Sequence, residues 1–175
     1  MIVEIEKLIS MEEFKDMDKD VLTMKTEAIE NLIRAYTNNN FQNRAMRIEV
    51  PVENGVLIGH SPYFRVGDTV QISQSAVNDG LYVITEITDT GITLDKDVFD
   101  FPRNTVTRVI YPVDIQKGVV DLLIWEKNNR SKVGIKSETL SRHSVTYYDQ
   151  DTNNQVMGYP VSLLGFLKPY MKARF

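Results

Sequence analysis

Asn38-Asn39-Asn40, followed by Met46-Arg47-Ile48-Glu49-Val50-Pro51-Val52-Glu53-Asn54-Gly55, is where this chain changes its grammar. Before the asparagines, apolar residues recur at three and four positions, the spacing of a helix face. After them, Met46, Ile48, Val50 and Val52 alternate with Arg47, Glu49 and Pro51, which predicts a half-buried strand. Pro51 has no amide to give to a ladder, so an edge strand is expected. Asn54-Gly55 predicts a hairpin turn, because both residues tolerate positive φ.

Toward the N-terminus, the pattern is helical from about residue 11 to 37. Ser10 followed by Glu13 reads as a capping box. A longer helix is expected to begin near Asp18 or Asp20, acids that suit the positive end of a helix dipole. Val21, Met24, Ala28, Leu32 and Ala35 give it an apolar stripe, which Leu22, Ile29, Ile33 and Tyr36 widen.

Toward the C-terminus, Val70 and Ile72 alternate with Gln71 and Ser73, and Asn78-Asp79-Gly80 supplies a turn. Strands are expected at Leu81–Ile87, Ile92–Leu94 and Val106–Ile110. So many short strands within residues 41–110 predict a small antiparallel barrel or sandwich. Helix returns near 112–127, with Pro112 suited to a first turn. Within Val119–Trp125 only Asp121 is polar, and a helix apolar nearly all round must be covered on more than one side. Val119, Leu122, Leu123, Ile124 and Trp125 are therefore expected either in the chain's own core or against a neighbouring copy. Residues 132–148 predict a hairpin or a pair of extended arms. A last short helix near 160–168, entered through Gly158-Tyr159-Pro160, is expected to stop at Pro169. The expected fold class is α+β: a helical core from residues 1–40 and 111–175, interrupted by an inserted β domain at 41–110.

A chain of 175 residues fits one domain, or one domain with an insertion. At 42% hydrophobic and 25% charged residues, its composition is that of a soluble globular protein. With no cysteine it has no disulfide, no thiol catalysis and no thiolate metal site. Nothing in it reads as a signal peptide or a membrane span, so no membrane partner is expected. The net charge of −4 is unevenly spread. Residues 1–30 carry nine acids and four bases, whereas residues 127–175 carry three acids and eight bases. That polarity fits either ordinary solvated faces or a head-to-tail attraction between copies or toward another protein.

Catalytic and metal-binding patterns are missing. His60 and His143 lack companions at metal-ligand spacing, and no serine sits in a nucleophile elbow. Asp95-Lys96-Asp97 with Asp100 lacks the glycine and distal glutamate of a calcium loop. The glycines are scattered at turns, so no phosphate loop exists. Tyr63, Phe64 and Tyr82 could stack bases, but acids outnumber bases across residues 41–110, the wrong sign for a phosphate track. No enzyme activity and no cofactor are expected. The tail Lys168-Pro169-Tyr170-Met171-Lys172-Ala173-Arg174-Phe175 interleaves aromatics with bases. It reads as a frayed end or as a docking peptide.

Four motifs occur in a fixed order: Val133-Gly134-Ile135-Lys136-Ser137-Glu138, Ser144-Val145-Thr146-Tyr147, Gly158-Tyr159-Pro160 and Leu167-Lys168-Pro169-Tyr170. Together with the opening helical pair and the helix around Trp125, they resemble the head–tail connector (head-completion adaptor) family of long-tailed phages. The resemblance covers about 105 residues and leaves out 41–110, an insertion that compact members lack. It implies a structural virion protein assembled in the bacterial host cytoplasm: a dodecameric ring under the portal that extends the DNA channel. Its partners would be the portal protein, the next connector, stopper or tail component, and genomic DNA passing through without sequence-specific binding. By the same resemblance Gly134, Ile135, Lys136, Ser137 and Glu138 form a connector arm. The tail supplies the portal-docking residues Lys168, Tyr170, Met171, Lys172, Arg174 and Phe175, and Pro169 is expected to free Tyr170, Met171 and Phe175 from helical packing on their own subunit. The alternatives are another assembly component, such as a tail-completion or peptide-binding adaptor, then an oligonucleotide-binding barrel or an unrecognised enzyme.

Overall fold

The computed structural model describes residues 1–130, 137–140, 143–146 and 155–173. Two compact units divide the chain. Met1–Ile2 and Asn39–Tyr111 make a barrel unit, while Val3–Asn38 and the described residues after Tyr111 make a helical unit.

The barrel unit contains β1 (Gln42–Glu53), β2 (Val56–Ile58), β3 (Thr69–Ser73), β4 (Gly80–Ile87), β5 (Gly91–Leu94) and β6 (Phe101–Val109). They close in the order β1-β2-β5-β4-β3-β6, with β6 back on β1 and every pair antiparallel. The fold is thus α+β with a closed barrel rather than a sandwich. Asn54 and Gly55 adopt φ of 52° and 76°, the left-handed pair that a two-residue hairpin needs, and set Val52 opposite Leu57. Closure corrects the edge-strand expectation. β1 pairs with β2 and with β6, and Pro51 sits at a register shift between Val50 and Val52, an irregularity that tolerates a missing amide. Phe64, Val70, Ile72, Ile84, Ile92 and Val106 fill the interior. At Gly91 a Cβ would lie 2.7 Å from Val56 Cγ1 and 3.0 Å from the Leu57 carbonyl oxygen, so only glycine lets β5 start beside β2. The two ends of the barrel run meet: the Ile110 amide donates to the Phe41 carbonyl at 2.9 Å, and the Phe41 and Tyr111 rings are 5.0 Å apart.

The helical unit holds α1 (Ile5–Ile9), α2 (Lys19–Thr37), α3 (Val113–Asn129), the hairpins β7–β8 (Ser137–Leu140, His143–Thr146) and β9–β10 (Gln155–Val156, Tyr159–Pro160), and a 3-10 helix, Val161–Tyr170. Ser10 does not open a helix. It closes α1, whose Ile5 and Leu8 are buried, and its hydroxyl donates to the Lys7 carbonyl at 2.7 Å. α2 begins where its acids suggest: the Asp18 carboxylate accepts from the Asp20 and Val21 amides, both at 3.0 Å. Asn38, left-handed at φ 50°, ends it.

Of the expected stripe, α2 buries the widening residues Leu22, Ile29 and Ile33 and leaves the first-named positions outside. Leu22, Thr26, Ile29, Glu30, Ile33, Arg34 and Thr37 are buried. Val21, Met24, Ala28, Leu32 and Ala35 are exposed, Met24 to 63%. Thr26 and Thr37 can go inside because their hydroxyls donate to the Leu22 and Ile33 carbonyls of the same helix, at 2.8 and 2.7 Å.

α3 buries Ile115, Gly118, Val119, Leu122 and Leu123. Gly118 has a packing reason, since a Cβ there would collide with the Phe166 ring. Met157 and Gly158, at φ 58° and 79°, turn β9 into β10, so Tyr159–Pro160 is a strand and not the start of a helix. The final helix is 3-10 and runs through Pro169 instead of stopping before it. Three residues per turn put Leu164 and Leu167 on one side, and both are buried.

Candidate functional site

Of the residues expected in core or interface, Val119, Leu122 and Leu123 are buried in the helical unit, while Ile124 and Trp125 are half-buried. The Trp125 ring lies 5.6 Å from that of Tyr159, tilted by 58°. Next to it Glu126 gathers donors: the Tyr159 hydroxyl at 2.9 Å and the Lys25 ammonium at 2.6 Å. Burial opposes ionisation of the Glu126 carboxyl. The Lys25 and Tyr159 hydrogen bonds, with the charges of Lys25 and Arg130, outweigh it and hold the group below the usual carboxylate range. Burial, and then the bond to Glu126, pushes the Tyr159 phenol up. A carboxylate with each oxygen already engaged is a tie between α2, α3 and β10, poorly suited to serve as a general base.

The tail is not released by Pro169. The Tyr170 hydroxyl donates to the Asp114 carboxylate, with the two oxygens at 2.7 and 2.8 Å, and this raises the phenol's pKa. The Lys172 amide donates to the Thr37 carbonyl at 2.8 Å, and the Asn38 side chain donates to the Ala173 carbonyl at 2.9 Å. Tyr170 is therefore engaged on its own subunit, whereas the side chains of Lys168, Met171 and Lys172 are exposed. Arg174 and Phe175 lie outside the described residues, as do Gly134, Ile135 and Lys136 of the arm. Ser137 and Glu138 belong to β7, opposite Thr146 and Val145 of β8.

One end of the barrel carries a site that the sequence did not single out. Asn78 is 2% exposed, and its side chain spans two loops. It donates to the Phe99 carbonyl at 2.8 Å and to Asn104 Oδ1 at 3.0 Å, and accepts from the Phe99 amide at 2.8 Å. The loop before it holds Gln74 and Ala76 at φ of 61° and 66°, a conformation that non-glycine residues adopt only where surroundings enforce it. This buried network presents Val77 and Phe99 to solvent, Phe99 at 68% exposure. Asp79, Asp95 and Asp100 on the neighbouring loops accept from the Ser75, Val83 and Gly55 amides, so their first task is shaping turns. A rigidly held aromatic on a loop is suited to docking against another protein. The only signal for it in the sequence was an aromatic with no alternating pattern around it.

In the helical unit, Val3, Lys7, Met11, Val113, Lys117 and Val120 line an open apolar groove of about 220 Å³. That is below the roughly 300–1,000 Å³ of small-molecule pockets, and closer to a socket for one side chain. Among the described residues no group of three or more His, Asp or Glu is placed to hold a metal ion, and no helix is long and apolar enough to cross a membrane. No protein-family model matches the chain, and no curated protein matches it.

Proposed function

We propose that this chain is a structural subunit of a phage head–tail connector, one member of a ring seated under the portal and without catalysis of its own. The observation that carries this reading is the ordered set Gly134–Glu138, Ser144–Tyr147, Gly158–Pro160 and Leu167–Tyr170 in the sequence. The helical unit, into whose sequence the barrel is inserted between α2 and α3, is consistent with it. The exposed Lys168, Met171 and Lys172, with Arg174 and Phe175 beyond Ala173, are the proposed portal contact. Repetition around a ring would make a weak single tail strong through avidity. The net charge of −4 suits a channel that DNA passes through, since attraction to phosphates would act as a brake.

The test is a mass measurement of the assembled species with and without the purified portal protein of the same phage. A ring on the portal, formed by the intact chain and lost on Met171→Asp with Lys172→Glu, supports the reading; a chain that never associates with portal overturns it. A second reading, an assembly adaptor that docks a partner through its barrel, is favoured by the exposed Val77 and Phe99. In that case Phe99→Ser abolishes partner binding while the tail variant does not.

A further inference from the structure

We infer that the turn between β1 and β2 is a site of spontaneous covalent modification, where Asn54 is converted to aspartate and isoaspartate through attack by the Gly55 nitrogen, at a rate that Asp100 restrains. Of the asparagines in the chain, only Asn54 is followed by glycine. The neighbour matters because the attacking group is the backbone nitrogen of the next residue. A glycine there has no Cβ to obstruct the approach or to restrict the backbone. The carboxamides of Asn38, Asn78, Asn104 and Asn129 donate to carbonyl oxygens of Ala173, Phe99, Val50 and Trp125. Asn54 and Gly55 stand instead at the exposed tip of the hairpin, between the last residue of β1 and the first of β2.

Water is the one co-reactant. The Gly55 nitrogen bonds to Asn54 Cγ, the Cγ–Nδ2 bond breaks, and ammonia leaves with the Gly55 amide proton, closing a five-membered imide. Water then opens one of the two C–N bonds of the imide. Opening at Cγ gives aspartate. Opening at the main-chain carbonyl carbon gives isoaspartate, whose backbone runs through the side chain and is one carbon longer. The folded turn resists the first step. The Gly55 amide donates to Asp100 Oδ1 at 3.2 Å. Its nitrogen reaches Cγ only by turning the peptide between residues 54 and 55, which breaks that bond. It also attacks as an anion, which a carboxylate beside it disfavours. The pairs Val52–Leu57 and Glu53–Val56 hold Asn54 and Gly55 at φ of 52° and 76°, the geometry of a two-residue hairpin. Isoaspartate cannot keep that geometry, so the product loosens β2, only three residues long, from β1. The site is independent of the connector reading, since it lies wholly within the barrel unit.

The test is incubation of the intact chain in mildly alkaline buffer, folded and in urea, with time points digested by trypsin. The peptide of residues 48–65 carries the turn, bounded by Arg47 and Arg65. Mass spectrometry reads the exchange of NH2 for OH, and methylation by an isoaspartyl methyltransferase reads the isoaspartate share. Asn54 is expected to react before every other asparagine, more slowly in the folded chain than in urea. Asp100→Ala should speed the folded reaction roughly three- to tenfold, the worth of one hydrogen bond, and leave the rate in urea unchanged. Asp95→Ala removes a carboxylate that accepts from the Val83 amide at another turn, and should leave the Asn54 rate unchanged. That comparison separates the Asp100 contact from a general loosening of the barrel. No reaction at Asn54 in the folded chain, earlier reaction at another asparagine, Asp100→Ala reacting no faster than the parent, or equal acceleration by Asp95→Ala would each overturn the inference.

Discussion

Asn78 and Glu126 show how single polar residues hold each unit in shape. Asn78 is buried, and all of its side-chain bonds go to Phe99 and Asn104. Asn78→Ala leaves the Phe99 amide and carbonyl without that partner and is expected to cost about 2–3 kcal/mol, measured by urea denaturation. The same variant should loosen the loop that carries Phe99, seen as faster amide exchange at residues 97–100. Glu126 differs because its bonds depend on ionisation. Its pKa is held below the ordinary value of 4.5, so its contribution is fully present above that pH and is lost as pH falls through the lower folded value. Glu126→Gln should therefore be destabilising at neutral pH by roughly 1–3 kcal/mol. The gap between variant and parent should narrow in urea melts below pH 4.5. A gap independent of pH would mean that the carboxylate charge does not matter to the tie.

The residues from Pro169 onward are expected from the sequence to be separable from the core, because proline ordinarily breaks an α-helix. A 3-10 helix tolerates Pro169, and the chain beyond it is tied to α2 and α3 through Lys172–Thr37 and Tyr170–Asp114. Deleting residues 169–175 is accordingly expected to lower the melting temperature by at least about 2 °C, in differential scanning calorimetry. An unchanged melt would restore the picture of a free anchor peptide. The backbone after the 3-10 helix closes the C-terminal end of α2 and leaves the Lys168, Met171 and Lys172 side chains facing solvent.

The division into units permits a test on the whole molecule. The barrel run enters and leaves at neighbouring points, since Phe41 and Ile110 share a backbone hydrogen bond. A variant with residues 39–111 replaced by a short glycine linker is expected to remain soluble and helical by circular dichroism. Leu22, Ile29, Ile33, Val119 and Leu122 should stay buried in it. Aggregation of that variant would show that the helical unit depends on the barrel to fold.

Local chemistry made much of this legible in the sequence. Asn54-Gly55 codes a hairpin through backbone sterics alone, Asp18 caps whichever helix follows it, and alternation in Val70–Ser73 reports a strand with one face inside. The barrel's presence and approximate limits follow from such signals, which need no knowledge of what lies opposite. Closure was not legible, because whether β1 is an edge depends on β6, some fifty residues away. Nor was the sense of α2. Its sequence offers one broad apolar stripe, and periodicity cannot rank its two edges. Packing chose the one with Leu22, Ile29 and Ile33, and admitted Thr26 and Thr37 because the helix's own carbonyls accept their hydroxyl protons. Which part of an apolar face becomes core depends on what the rest of the chain packs against it, and only the tertiary structure decides that.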